Sequence, residues 1–201
     1  MYQINVGLRG VCPMLHNAFS KNTLEHLQEG ATKKTASGDY SLEWMKTMYM
    51  NLSKGHLFQP STHIEGTLVK SAASFTIKGK RGKTYKDAMN AYVMVSPDEI
   101  PLRHEMLDGD VIPIPSAELM TEPTDYLWVD VRRVKIQRAA VAKSRLAIGE
   151  GWLLDFNMMC SDDTLRPDVI QMALAHAGHA IGISDFRPKF GRFEIMKFEV
   201  S

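Results

Sequence analysis

Polar and apolar residues alternate along the first stretch of the chain and again in its second half. Residues 2–10, YQINVGLRG, alternate in this way and stop at Gly10, which predicts a first β-strand. Residues 126–138, YLWVDVRRVKIQR, have the same period, and the following VAKSRLAI is predicted to pair with them. Residues 151–160, GWLLDFNMMC, are almost continuously apolar, which is typical of a central strand. With a last strand predicted in FGRFEIMKFEV, both ends of the chain contribute to the predicted sheet.

Helical spacing of apolar residues appears first in residues 41–55. This stretch ends on Gly55, the residue expected just past a helix, and its apolar stripe consists of Leu42, Met45, Tyr49 and Leu52. The preceding residues 20–40 are polar and lack a sustained period. We therefore predict a helix over 41–55, preceded by a mobile loop or by a short helix with a loop.

Two further stretches predict helices with recognisable beginnings. In residues 60–75, Thr62 and Glu65 fit a capping box, and the predicted buried stripe consists of Ile64, Leu68 and Ala72. Residues 161–182 give the strongest helix pattern, with acidic residues in front and Pro167 near a first turn that tolerates proline.

The order of these elements is strand, helices, two strands, helix, strand. This order predicts an α+β fold with a ferredoxin-like (RRM-like) antiparallel sheet, helices on one face and a large insertion. The 201 residues, 44% of them hydrophobic, suit one globular domain. We predict a single domain over residues 1–201, with an inserted basic hairpin or loop region around residues 76–125.

Composition narrows the classes of function. Cys12 and Cys160 are the only cysteines, which is too few for a disulfide framework or a cysteine-rich zinc site. No apolar run approaches the roughly 20 residues of a membrane helix, and the first ten residues lack the features of a signal peptide. We predict a cytoplasmic protein without a membrane partner. Because the formal net charge is only +1, any affinity for nucleic acid has to come from local clusters of charge.

Basic residues concentrate in three places. The first set consists of Lys78, Lys80, Arg81, Lys83 and Lys86, interrupted by Gly79 and Gly82. The second set lies on the two paired strands and consists of Arg132, Arg133, Lys135, Arg138, Lys143 and Arg145. The third set precedes the last strand and consists of Arg187, Lys189 and Arg192.

We hypothesise that these sets converge on one groove that binds a polynucleotide through its phosphates. The glycines, among them Gly182 and Gly191 beside the third set, would let a phosphate approach backbone amides. Tyr85 and Tyr92 would add base stacking. Two simpler interpretations remain open: a solvated loop for the first set, and a helix cap with a tight turn, in which Arg187 pairs with Asp185, for the third.

The histidines give weak candidates for chemistry. His16, at a strand end, is the one candidate general base, for metal-free cleavage of RNA, although no acid partner is evident; the alternative is a histidine hydrogen-bonded to backbone. His176 and His179 are three residues apart without a third ligand at a recognisable spacing, so we expect packing and solvent roles for them. We predict neither a metal nor a cofactor.

Three stretches carry a resemblance to a family of small phage and prophage proteins: VGLRGVCPMLHN, QPSTHIEGTLVKSAA and GHAIGISDFRPKFGRFEI. The last of these also resembles the glycine-rich loop before the final strand of the RAMP superfamily, the ferredoxin-like RNA-binding proteins of CRISPR effector complexes. The matching positions are Gly182, Arg187, Pro188, Gly191, Arg192 and Phe193, while Ser184 stands where a second glycine is usual.

The resemblance implies a RAMP-like domain that binds single-stranded nucleic acid, RNA or DNA, without sequence preference and assembles along it as a homo-oligomer or filament. It also implies a host-cell cytoplasmic location if a phage encodes the protein. Two alternatives stay open. One is a phage structural or anti-CRISPR-type module that binds phage or CRISPR-type proteins by mimicking a CRISPR backbone subunit, and the other is a metal-independent ribonuclease.

Overall fold

The computed structural model describes residues 1–18, 40–116, 124–136 and 139–201. Its strands are β1 (Tyr2–Gly10), β2 (Met14–Leu15), β3 (Met50–Asn51), β4 (His56–Pro60), β5 (Val93–Ser96), β6 (Glu99–Pro101), β7 (Arg103–His104), β8 (Leu127–Ile136), β9 (Ala139–Ile148), β10 (Trp152–Cys160) and β11 (Phe193–Val200). Its α-helices are α1 (Ser61–Ala72), α2 (Lys86–Tyr92) and α3 (Pro167–His176). Shorter helical turns are formed by Tyr40–Thr47, Glu105–Leu107 and Ala177–Ile181.

The main sheet is antiparallel and runs in the order β11, β1, β10, β5, with β7 pairing the first residues of β10. In its register Val6 lies opposite Phe156, and Met158 lies opposite Val95. The predicted central position of residues 151–160 is confirmed, because β10 has neighbours on both sides.

Alternation along the strands separates a buried face from a polar face. On β1, Ile4, Val6 and Leu8 are buried, whereas Gln3 and Arg9 keep contact with solvent. The buried face packs against α1 and α3, whose apolar stripes enter the same core. The predicted stripe of the first α-helix, Ile64, Leu68 and Ala72, is accordingly buried.

A second sheet is the long hairpin of β8 and β9, which β2 extends along the free edge of β9. The hairpin confirms the predicted pairing of residues 126–138 with VAKSRLAI, and Arg132 lies opposite Lys143 in its register. A third, small sheet joins β3, β4 and β6. The chain is thus α+β with antiparallel sheets.

Two local predictions are wrong. Residues 41–55 do not form one helix, because a 3-10 helix ends at Thr47 and the chain then turns at Gly55 so that β3 pairs with β4. The Thr62–Glu65 capping box is also absent: α1 begins after Pro60, and the Glu65 carboxylate accepts a hydrogen bond from the Val95 amide instead. In both cases tertiary pairing outweighs local propensity. The loop predicted over 20–40 lies almost entirely outside the described residues.

In the described part of the chain, no helix is long and apolar enough to cross a membrane.

Candidate nucleic-acid interface

The basic loop, residues 76–84, carries four residues of the first basic set. Thr76 and Thr84 pair at its base, and the Ile77 amide donates to the Lys83 carbonyl at 2.9 Å. Gly79 and Gly82 have φ values of 80° and 71°, a region that side chains with a Cβ rarely adopt. The loop is therefore a tight hairpin-like turn that follows α1.

All four cations of the basic loop are exposed: Lys78, Lys80, Arg81 and Lys83. Within the described residues, none of them lies within ion-pairing distance of a carboxylate. A Cβ added at Gly79 or Gly82 would meet no atom within 4 Å. The loop thus combines uncompensated positive charge with backbone that an anion can approach.

The aromatic residues beside this loop differ in exposure. Tyr85 is half-buried and packs against the core, whereas Tyr92, at the end of α2, is 40% exposed. Tyr92 is therefore the more accessible of the two predicted stacking residues.

The second basic set divides between the two faces of the β8–β9 hairpin. Arg132, Lys143 and Arg145 share one face, since their cross-strand pairs are two residues apart, and Arg133 lies on the other face. Arg132 is held by Asp130 through two contacts, Nε to Oδ1 at 2.6 Å and Nη2 to Oδ2 at 2.8 Å. Arg138 and the side chain of Lys135 lie outside the described residues.

The glycine loop, residues 182–192, closes on itself. The Ile183 amide donates to the Gly191 carbonyl at 3.0 Å. A Cβ on Gly182 would stand 2.7 Å from the Phe190 carbonyl oxygen, and one on Gly191 would stand 2.4 Å from the Ser184 Cβ. These two glycines are therefore required by the close approach of the loop's own ends, which differs from the phosphate contact that we predicted for them.

Ser184, where the resembling family has glycine, fastens the glycine loop to β2. Its hydroxyl accepts a hydrogen bond from the Leu15 amide at 2.6 Å and lies 3.1 Å from the Leu15 carbonyl. The loop is further tied by the Gly191 amide, which donates to the Pro13 carbonyl at 2.8 Å. The loop therefore has a defined position against the sheet of β2, β9 and β8.

The hairpin and the glycine loop meet through arginines. Arg145 is 4% exposed, and its Nε lies 2.7 Å from Oδ2 of Asp185. The guanidinium of Arg132 stands over the Phe190 ring, 4.6 Å from its centroid. The suggested pairing of Arg187 with Asp185 is not observed, because Arg145 takes that carboxylate and Arg187 lies 3.3 Å from the Thr67 hydroxyl.

The other two cations of the third set, Lys189 and Arg192, take no part in the contact between the hairpin arginines and Asp185. Lys189 is exposed on the glycine loop. Arg192 lines an open groove of about 700 Å³ between α3 and β11, together with Asp168, His179 and Glu194. Arg192 thus shares this groove with two carboxylates.

His16 lies at the end of β2 and is fully buried. Its Nδ1 accepts a hydrogen bond from the Tyr49 amide at 3.2 Å. Burial, together with the nearby His63, lowers the pKa of His16 to about 3. This geometry agrees with the alternative interpretation, a histidine that is hydrogen-bonded to backbone. A fully buried imidazole also has no access to a polynucleotide in solvent.

The other two histidines that the sequence singled out, His176 and His179, have different surroundings. Nδ1 of His176 lies 2.9 Å from the Ser71 hydroxyl, and its ring packs edge-on against Phe75. His179 is exposed. Among the described residues, no group of three or more histidine, cysteine or carboxylate side chains is arranged to hold a metal ion.

Phe186 was not among the predicted site residues. It lies between Asp185 and Arg187 with a φ of 60°, and it is 39% exposed. The sequence signal that could have identified Phe186 as a site residue is an aromatic side chain within a polar, basic stretch.

No protein-family model matches the chain, and no curated protein matches it either. Among solved structures, the chain is similar to a chain in "Cryo-EM structure of the Type III-B Cmr-beta bound to cognate target RNA", with a TM-score of 0.53 and 12% identity. The match covers 99% of this chain and 60% of that chain, so this chain spans about three fifths of its length. A chain of a Type IV-B CRISPR complex matches with a TM-score of 0.47 and 10% identity, covering 99% of this chain and 90% of that one.

At 12% identity, the first similarity shows a shared fold and nothing more. That α+β fold is consistent with the RAMP-like resemblance of the sequence.

Proposed function

We propose that the protein binds single-stranded nucleic acid, RNA or DNA, without sequence preference, and that the basic loop supplies the main phosphate contacts. The observation that carries this proposal is the combination of four exposed cations, no carboxylate partner among the described residues, and two open glycines within residues 78–83. Cations that are not neutralised within the protein are available to neutralise phosphates.

The fold supports the same proposal by analogy. The order β11, β1, β10, β5, with α1 and α3 on one face, is the arrangement expected of a ferredoxin-like core, and we infer a RAMP-like domain over residues 1–201. In this view, the segments between α1 and β10 that lie outside the main sheet form the insertion, which we predicted around residues 76–125. The solved structure with the same fold is described as bound to cognate target RNA.

The three basic sets contribute unequally to the proposed interface. The polar face of the main sheet carries mixed charges in ion pairs, such as Arg9 with Glu105 and Arg103 with Asp155, and so lacks a uniform positive field. Arg187 of the glycine loop lies near the middle of α1, through its contact with Thr67, while the basic loop follows the end of that helix. We therefore place the path of the strand along α1, between these two loops.

The proposal is tested by titrating labelled single strands of about 20 nucleotides over about 50 to 200 mM salt. Each neutralised phosphate of a single strand contributes about 0.7 to the slope of log affinity against log salt. Replacing Lys78, Lys80, Arg81 and Lys83 by Gln is therefore expected to weaken binding and to reduce the slope by about 3.

A matched control replaces four exposed cations outside the three sets by Gln: Lys46, Lys54, Arg166 and Lys197. This variant has the same change of net charge, so we expect the slope to remain near that of the unmodified protein. An equal loss in both variants would contradict the proposal, as would an unmodified protein without salt-dependent affinity. The alternative of a protein-binding module predicts this last result.

Assembly into a homo-oligomer or filament stays a prediction. Sedimentation velocity with and without the oligonucleotide tests it, and a species that grows with the length of the strand is the expected result.

A further inference from the structure

Phe186 is held in a backbone conformation that its side chain disfavours. Its φ of 60° lies in the left-handed region, where a bulky residue is an outlier and glycine or asparagine is usual. The closure of the glycine loop depends on Gly182, Gly191 and Ser184, none of which requires an aromatic ring at position 186. Strain that folding does not require is concentrated in proteins at binding sites.

The ring of Phe186 is also unusual in its exposure. Among the described aromatic residues, only Phe186 and Tyr92 are both large and exposed, at 39% and 40%. Other phenylalanines of the same region, Phe190 and Phe193, are buried at 5% and 4%. The exposed surface of Phe186 therefore does not serve the core.

Two guanidinium groups stand beside this ring. The Cζ of Arg145 lies 5.5 Å from the Phe186 centroid, and that of Arg132 lies 5.8 Å from it. Both groups are held by carboxylates, Arg145 by Asp185 and Arg132 by Asp130. Arg145 is nearly fully buried, and neither its Nε nor its Nη1 has a hydrogen-bond partner in the described part of the chain, so its contact with Asp185 is an ion pair without hydrogen-bond geometry. The ring thus lies beside two cationic groups that are paired with carboxylates, and it keeps part of its surface in solvent.

We propose that Phe186 is a stacking platform for one unpaired nucleobase, with the exposed Arg187, its neighbour in the chain, placed to meet a flanking phosphate. The inference deepens the proposed function and rests on it. Stacking on an aromatic ring tolerates any base, and cationic side chains beside the ring strengthen it. Because the base has to leave its own helix stack, the platform selects single strands over duplex.

The test uses a single strand that contains 2-aminopurine, whose fluorescence falls when the base stacks on an aromatic ring. In the unmodified protein we expect quenching on binding. Phe186→Asn is expected to abolish the quenching and to weaken single-strand binding about tenfold, without changing the salt slope or the weak binding of duplex. Phe186→Trp is expected to retain both the affinity and the quenching.

The choice of asparagine separates a loss of base stacking from a loss of folding. Asparagine tolerates a positive φ, so Phe186→Asn is expected to unfold in urea at the same concentration as the unmodified protein or at a higher one. Leu52→Asn is the matched control, because it makes the same replacement of an exposed apolar side chain outside the proposed interface, and it should leave the quenching unchanged.

Two failures are distinguishable. If the unmodified protein binds single strands with a steep salt dependence, but Phe186→Asn keeps both affinity and quenching, the platform is overturned and the proposed function stands. If the unmodified protein shows no salt-dependent binding, the proposed function fails, and the platform fails with it.

Discussion

The basic loop and the glycine loop contain the same kinds of residue, but the fold uses their glycines in opposite ways. At the basic loop, a Cβ on Gly79 or Gly82 would meet open space. At the glycine loop, a Cβ on Gly182 or Gly191 would collide with backbone or with Ser184. Glycine therefore allows approach from outside in one loop and closure from inside in the other.

The cations of the two loops do not differ in this way. Those of the basic loop are exposed and have no carboxylate partner among the described residues. At the glycine loop, Arg187, Lys189 and Arg192 are likewise exposed and lack such a partner among the described residues, while the loop's carboxylate, Asp185, binds Arg145 of the β8–β9 hairpin. The comparison teaches that a run of glycines and cations predicts an anion site at the backbone only where the fold leaves the glycines open.

The largest expected effect is at the glycine loop. Gly191→Ala adds a Cβ at a positive φ and 2.4 Å from Ser184, so strain and overpacking together should lower the free energy of unfolding by about 4 kcal/mol. Gly79→Ala adds only the φ penalty, about 1 kcal/mol. Urea denaturation of both variants checks this, and equal losses would contradict the contrast between the loops.

Breaking the arginine contact between hairpin and glycine loop should have the next largest effect. Arg145→Ala removes a guanidinium that is 4% exposed and leaves Asp185 without its cation, which should cost about 3 kcal/mol. Arg133→Ala, on the exposed side of the same hairpin, should change stability by less than about 0.5 kcal/mol. Similar values for the two variants in urea denaturation would show that the ion pair does not fasten the loop.

A pH titration of stability distinguishes the interior beside the glycine loop from the exposed surface. Burial lowers the pKa of His16 from 6.5 to about 3, so the unfolded state binds more protons between these values and stability falls as pH falls through this range. This histidine alone should remove about 2 kcal/mol between about pH 7 and pH 5.

His16→Gln should flatten this dependence relative to the unmodified protein, and His179→Gln, at an exposed position, should not. The burial of His63, which also has a lowered pKa, adds a slope of the same sign to every variant. An unchanged slope in His16→Gln would show that His16 takes up a proton in the folded protein.

The smallest effect on stability is expected at the basic loop. Replacing Lys78, Lys80, Arg81 and Lys83 by Gln removes exposed cations without ion pairs among the described residues, so the free energy of unfolding should change by less than about 0.5 kcal/mol. A larger loss would mean that these side chains stabilise the fold, which would weaken their assignment to ligand binding.

Some of the fold could be predicted because it follows from local periods. The alternation in residues 2–10 and 126–138 specified strands, and the apolar run of residues 151–160 specified the central one. The helix predicted over 41–55 failed, because its residues satisfy their backbone by pairing β3 with β4 at a turn on Gly55. Periodicity in a short window does not report such a pairing.

The candidate site was predicted less completely. The cations of the basic loop could be identified directly from the sequence. The contact between Arg132 and Asp130 could also have been predicted, because residues two apart share a face of a strand. The Arg145–Asp185 pair and the exposure of Phe186 could not be predicted from the sequence. Both depend on the position of the glycine loop, which lies forty residues after Arg145 in the chain.

By itself the sequence determined where strands and helices can form and where positive charge accumulates, because side-chain period and composition are local properties of the chain. Only the tertiary structure decided which glycines are open, which arginines are already paired and which aromatic ring remains in solvent. These depend on contacts between segments far apart in the chain, and such contacts exist only once the core has brought the segments together.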